Sequence, residues 1–241
     1  MGRHYNMQMR TSGDTFDPDL LSEQPLLAGL FARQPAVAPL VCGRRNWPAL
    51  GELDLAAATA GAVTASGLPL RFVPAPPRRR RRGGGPKLPG PSYELRIFEA
   101  GEVQTRAANW HDYFNALAWM LFPRTKAALN HRQVLAADPE QVRTREQDRL
   151  AMLDEGGVIL AGSEVLVLGH ALMESLVRGV RNVRAMAFPL DAVPADADAA
   201  VARAVAEGVF LRAAPFPVYD LDRGVIHAGR SSGGKSESRA L

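Results

Sequence analysis

Cysteine is almost missing from this sequence. Cys42 stands alone among 241 residues, which excludes an intramolecular disulfide and a zinc cluster held by thiolates. Lysine is nearly as scarce, confined to Lys87, Lys126 and Lys235, while Arg, Ala, Gly and Pro are plentiful, the bias a GC-rich genome produces. No long apolar run is free of charge. The most apolar stretch, Val158 to Val177, carries Glu164, His170 and Glu174 and so reads against a membrane span. The first residues, MGRHYNMQMRTSGD, hold no apolar core for secretion. Walker loop, G-x-S-x-G, H-E-x-x-H and dinucleotide fingerprints are all absent. The expectation is a soluble cytoplasmic protein with no membrane partner.

An apolar fraction of 46% over 241 residues supports one domain with a sizeable core. The formal charge of +4 is misleading, because Arg78 to Arg82 supply five positive charges and the remainder is close to neutral. Residues 1–19 read as a disordered N-terminus and 20–73 as an N-terminal helical part, cut by Pro25, Pro35, Pro39 and Pro48. Within it, Leu53 to Ser66 reads as an Ala-rich helix stopped by Gly67, Leu68 to Val73 as a short strand, and Trp47 as a core anchor. Residues 74–92 are a Pro/Arg/Gly-rich linker or loop insertion. Its arginines Arg78, Arg79, Arg80, Arg81 and Arg82 suit a solvated loop, or a weak electrostatic contact with nucleic acid. Residues 93–229 form the main part of the domain and 230–241 a disordered tail.

In the main part, Tyr93 to Glu99 alternates apolar and charged residues as a half-buried strand does, with Val103 to Arg106 returning as its partner. Two helices follow, Trp110 to Leu121 and Thr125 to Leu135, joined at Pro123. Leu150 to Ala161 reads as a second hairpin turning at Asp154 to Gly157, and Ser163 as the cap of a helix reaching Arg178. Val183 to Leu190 reads as a strand and Asp196 to Glu207 as a helix. The class is therefore α+β: short β-hairpins interleaved with helices around a central αα-hairpin, with no repeating βα unit.

The stretch Asn109 to Gln133 is densest in chemistry. Asn109 caps its first helix, with Asp112 at the third position as in a capping box. His111 and Asn115, four apart, share a face that the apolar stripe Trp110, Phe114, Leu117 and Leu121 leaves free. The positive helix end should keep the His111 ring neutral, the form that binds a metal or accepts a proton. Asn130 or Asp154 would complete the cluster. His170 and Glu174, also four apart, form a second candidate, read first as a core histidine held by its neighbour. Two alternatives use the same stretch. A helix-turn-helix reading assigns Arg124, Lys126 and Arg132 to phosphates. A hairpin followed by a helix bearing His and Asn is similar to the ββα-metal layout of some nucleases.

The residues Tyr93-Glu94, Arg96-Ile97-Phe98-Glu99, Asn109-Trp110-His111-Asp112, Phe114-Asn115-Ala116-Leu117, Trp119, Phe122-Pro123 and Ala128-Leu129-Asn130 resemble the bacterial "domain of unknown function 3025" family. Asn46-Trp47-Pro48, Asp154-Glu155-Gly156-Gly157 and Gly169-His170-Ala171-Leu172 extend the resemblance. Gln133 departs from it where relatives carry His, and the Pro-Gly-Trp segment expected after Pro217 is missing. The resemblance implies a soluble bacterial protein of one continuous domain and leaves mechanism to the residues. These point first to a metal-assisted hydrolase acting on a phosphate-containing substrate, with a divalent metal at His111 and Asn115, Asp112 orienting, and Asn130, His170 and Glu174 supporting. The second reading is a non-catalytic module that binds nucleic acid or protein.

Overall fold

Proline placement opens the fold. Pro25 begins helix α2 (Pro25–Ala32) and Pro39 lies in the first turn of α3 (Ala38–Val41), positions where the missing N–H has no helical partner to lose. In the computed structural model, which describes residues 15–17, 19–76, 92–140, 142–190, 196–208, 216–227 and 238–240, α1 (Asp19–Ser22) precedes them and α4 (Leu50–Thr59) follows. Strand β1 (Arg71–Pro74) then pairs in parallel with β2 (Glu102–Thr105). The segments on either side of residues 77–91 are thus joined by a shared ladder.

Between these strands lies the first correction. Tyr93–Ala100 is not a strand but helix α5. Ser92 caps it by accepting the Leu95 N–H at 3.2 Å, and Gly101 ends it in the left-handed conformation at φ 66°. Gly101 is obligatory there on a second count, since a Cβ would stand 2.4 Å from the Pro69 carbonyl oxygen. With no hairpin ahead of the central helices, the ββα-metal layout is ruled out.

The αα-hairpin is α6 (Trp110–Leu121) and α7 (Pro123–Leu135). Asn109 accepts the Asp112 N–H at 3.0 Å, the cap expected from the sequence. Trp110, Phe114 and Leu117 are buried, and Trp110 meets Phe16, Trp47 and Tyr113 in an edge-and-face aromatic cluster with ring centroids 4.8–5.7 Å apart. Phe16 lies in the stretch expected to be disordered, yet it is buried in this cluster; residues 1–14 and 18 are outside the described residues.

The second expected hairpin is also a helix at its start. Thr144 and Gln147 form a reciprocal capping box, and α8 (Arg145–Gly156) runs through Asp154 and Glu155. Strand β3 (Gly157–Ala161), buried along its length, makes its hairpin with β4 (Glu164–Val167) instead. The helix expected from Ser163 begins only at His170, as α9 (His170–Val177). Likewise the Ala-rich helix stops at Thr59, and Gly67 at φ 84° serves a tight turn.

Strand β5 (Arg184–Leu190) lies parallel to β3, and α10 (Ala197–Ala206) packs on α7. Strands β6 (Val218–Asp220), β7 (Val225–His227) and β8 (Ser238–Ala240) complete a sheet ordered β4-β3-β5-β6-β7-β8. Ser238–Ala240, within the expected tail, forms the outer strand. The class is α+β, with parallel pairs at β1–β2 and β3–β5 and antiparallel ones elsewhere. The linker's arginines, in 77–91, lie outside the described residues.

Candidate metal centre

Three elements converge on one point. Helix α6 presents His111 in its first turn, α8 presents Asp154 and Glu155 in its last, and α9 begins with His170. Backbone contact brings the latter two helices together. The Gly157 carbonyl accepts the N–H groups of Leu168 at 3.1 Å and Gly169 at 2.9 Å. A Cβ on Gly169 would lie 2.5 Å from the Glu155 carbonyl oxygen and 2.6 Å from the Gly157 nitrogen. Only glycine permits this approach, and the approach sets His170 beside Glu155.

His170 Nε2 lies 3.2 Å from His111 Nε2 and 3.3 Å from Glu155 Oε2. One ligand atom from each of these side chains lies within 4.8 Å of the others. Tetrahedral coordination at bond lengths of about 2.0–2.2 Å places ligand atoms roughly 3.3–3.6 Å apart, a spacing that the two short separations approach. Behind the rings stand carboxylates. Glu174 Oε2 is 3.5 Å from His111 Nδ1, while Asp154 Oδ2 stands 3.8 Å from His170 Nδ1, close enough for charge but beyond a hydrogen bond, and that buried nitrogen has no bonded partner. The His170 side chain is 5% exposed against 35% for His111 and 48% for Glu155, so the cluster is closed on one side and open on the other.

The protonation of the two rings differs. Hydrogen bonding with Glu174 raises the His111 pKa above its ordinary value, against the desolvation that opposes it. That reverses the expectation of a ring kept neutral by the helix end: a carboxylate in contact outweighs the partial charge of a helix terminus. Burial drives His170 down to about 4, so it is neutral at physiological pH. Burial also raises Glu155.

A second polar chain runs alongside. Lys126, 4% exposed, donates from Nζ to Asp154 Oδ1 at 2.5 Å and to Asn115 Oδ1 at 3.0 Å, with Trp119 5.4 Å beneath the ammonium. Burial pushes Asp154 up, but the Lys126 charge and the Lys126 bond outweigh it and hold the carboxyl below its usual range. Asn115 Nδ2 in turn donates to the Tyr93 hydroxyl at 2.9 Å. That bond fills a Tyr93 lone pair and leaves the phenolic proton for another acceptor. Glu94 is held by Asn130 Nδ2 at 2.7 Å, and burial raises its pKa. Tyr93, Glu94, Asn115, Asp154, Glu155 and both histidines line one polar cavity of about 370 Å³.

The residues expected from the sequence are divided by this geometry. His111 and His170 meet across 59 residues of chain, which no spacing rule could show. Asn115 reaches the cavity, but its oxygen is taken by Lys126, so Glu155 replaces it as the third ligand candidate. Asp112 is engaged by Arg106 through its backbone N–H, Nε and Nη2 at 2.6, 2.9 and 2.6 Å and serves the helix start. Glu174 turns to His111 rather than to His170. Asn130 contacts Glu94 and stays outside the cluster. The cations of the helix-turn-helix reading are all occupied: Arg124 pairs with Asp196, Lys126 with Asp154 and Arg132 with Glu146. Tyr93, Glu94 and Glu155 were not singled out, because the first two were read as strand residues and the last as a turn.

Residues 85–165 match the model of a family described as protein of unknown function (DUF3025), the family that the sequence resembles. The segment contains His111, Asp154 and Glu155 and ends before His170. No curated protein and no solved structure matches the chain.

Proposed function

We propose that this chain is a metal-dependent hydrolase, with one divalent ion held by His111, His170 and Glu155 and a water in the remaining position. The observation that carries the reading is that His170 Nε2 lies 3.2 Å from His111 Nε2 and 3.3 Å from Glu155 Oε2, with ligand atoms of all three residues within 4.8 Å of one another and a carboxylate near each ring. Three protein ligands and one open side are what a hydrolytic centre needs, since the ion lowers the pKa of its water toward neutrality.

The cavity wall supports attack on a carbonyl carbon better than on phosphate. Its carboxylates Glu94, Asp112, Asp154 and Glu155 face two guanidiniums, Arg106 and Arg143, each already paired with an aspartate. Among the described residues there is no cationic cradle for a phosphate. Tyr93 suits the developing oxyanion, because Lys126 and Asn115 polarise its hydroxyl in sequence. Glu94, kept basic by burial, takes the proton of the attacking water and returns it to the leaving oxygen or nitrogen, so ester or amide plus water gives acid plus alcohol or amine.

The test is metal analysis of protein purified without chelators. Wild type should retain about one divalent ion per chain, His170→Ala and Glu155→Ala should lose it, and Asn115→Ala should keep it. Equal metal content in wild type and His170→Ala, with both folded by circular dichroism, would end the reading.

A further inference from the structure

We infer that the substrate of this centre carries an apolar acyl or aryl group, received by a second cavity that adjoins the polar one; the inference rests on the metal reading above. This cavity, of about 480 Å³, is walled by Trp47, Pro48, Leu50, Leu53, Pro74 and Tyr113. Its size and apolar lining are those of a small-molecule pocket. Both cavities count Ala75 and Arg106 among their lining residues, so one molecule can extend from the apolar space to the metal cluster.

The seam is built to hold its shape. Arg106 is clamped to Asp112 through Nε and Nη2, which fixes the guanidinium at the junction. The wall beside it passes through Ala108, at φ 49°, a left-handed conformation unusual for alanine and of the kind that concentrates at ligand sites. Thr105 and Asn109 also line the apolar cavity, with Thr105 Oγ1 donating to the Val103 carbonyl and Asn109 capping α6. A carbonyl placed at the metal would therefore have its polar side facing Tyr93 and Arg106 and its apolar substituent behind Arg106, out of water.

Hydroxamic acids of graded tail length test this with the zinc-loaded full chain, because the hydroxamate head chelates the ion and the tail reports the cavity. Acetohydroxamate should bind. Lengthening to hexano- and octanohydroxamate should tighten binding by about fourfold per methylene, the worth of a CH2 removed from water, until the cavity is full. Ala107→Trp, at an exposed lining position, should cancel the gain from the tail while leaving acetohydroxamate affinity unchanged. Leu50→Ala should extend the gain to longer tails. Acetohydroxamate binding with no benefit from the tail, or with a benefit that survives Ala107→Trp, would overturn the inference and leave the metal centre standing. Failure of acetohydroxamate to bind a chain that retains no zinc would remove the metal reading, and this inference with it.

Discussion

Replacing Lys126 with Met tests the buried polar chain at its source. The Lys126 side chain is 4% exposed and its ion-pair partner Asp154 is 23% exposed. Lys126→Met keeps the length and the contact with Trp119 but leaves a carboxylate facing an apolar thioether. Breaking a buried pair from one side costs about 3–5 kcal/mol, and the partial access of Asp154 to water brings the expectation to about 2–4 kcal/mol. For a chain of this size that is a fall in Tm of roughly 5–15 °C. Lys126→Met/Asp154→Leu should recover most of the loss, since a well-packed apolar pair can replace a buried ion pair. Urea unfolding of the four members of the cycle gives the coupling energy directly. The double variant should stay folded yet bind metal about 10–100-fold more weakly, because it removes the carboxylate charge 3.8 Å from His170 Nδ1. A single variant within about 1 kcal/mol of wild type would show that the pair is not desolvated and that Lys126 is not the anchor of the site.

The two histidines should titrate with opposite sign in metal-free protein. His111 is raised by Glu174, so its contribution is complete below the unfolded value and lost as pH rises through the raised one; His170 is depressed, so its contribution is lost as pH falls from the unfolded value toward about 4. Unfolding of wild type against Glu174→Gln between pH 6 and 8 isolates the first effect, and a difference that grows with pH would contradict it. Asp198, in the first turn of α10, accepts the Arg124 and Thr125 N–H groups at 3.0 and 2.8 Å and thereby caps α7 from a neighbouring helix. Asp198→Ala should cost about 1–2 kcal/mol by thermal or urea unfolding, and an unchanged Tm would mean that water replaces the cap without loss.

What the sequence made legible was decided by how local the signal is. The cap at Asn109 depends on a few neighbouring residues and stands where it was expected, and the helix expected over Asp196 to Glu207 lies within one residue of that span at each end. The alternation of Tyr93, Leu95 and Ile97 with charged neighbours misled, because eight residues can satisfy a period of two as readily as about two turns of helix. The deciding marks were at its ends, Ser92 as cap and Gly101 as stop. The same holds for Leu150 to Ala161, where the capping pair Thr144 and Gln147 lies well upstream and carries the helix through residues read as a turn. Spacing along one helix suggested that Glu174 serves His170. Packing of α6 on α9 instead gives Glu174 to His111, and that is tertiary information.

The close approach of Gly169 to the end of α8 also bears on the order in which the site comes together. Glu155 and His170 are joined by a short hairpin, β3 to β4, so closing the loop between them costs little chain entropy, whereas His111 arrives from a distant part of the chain. Two thirds of the ligand set therefore belong to a local unit whose geometry is fixed by main chain against main chain. In that unit the precision of the centre is a property of the backbone, and the side chains inherit it.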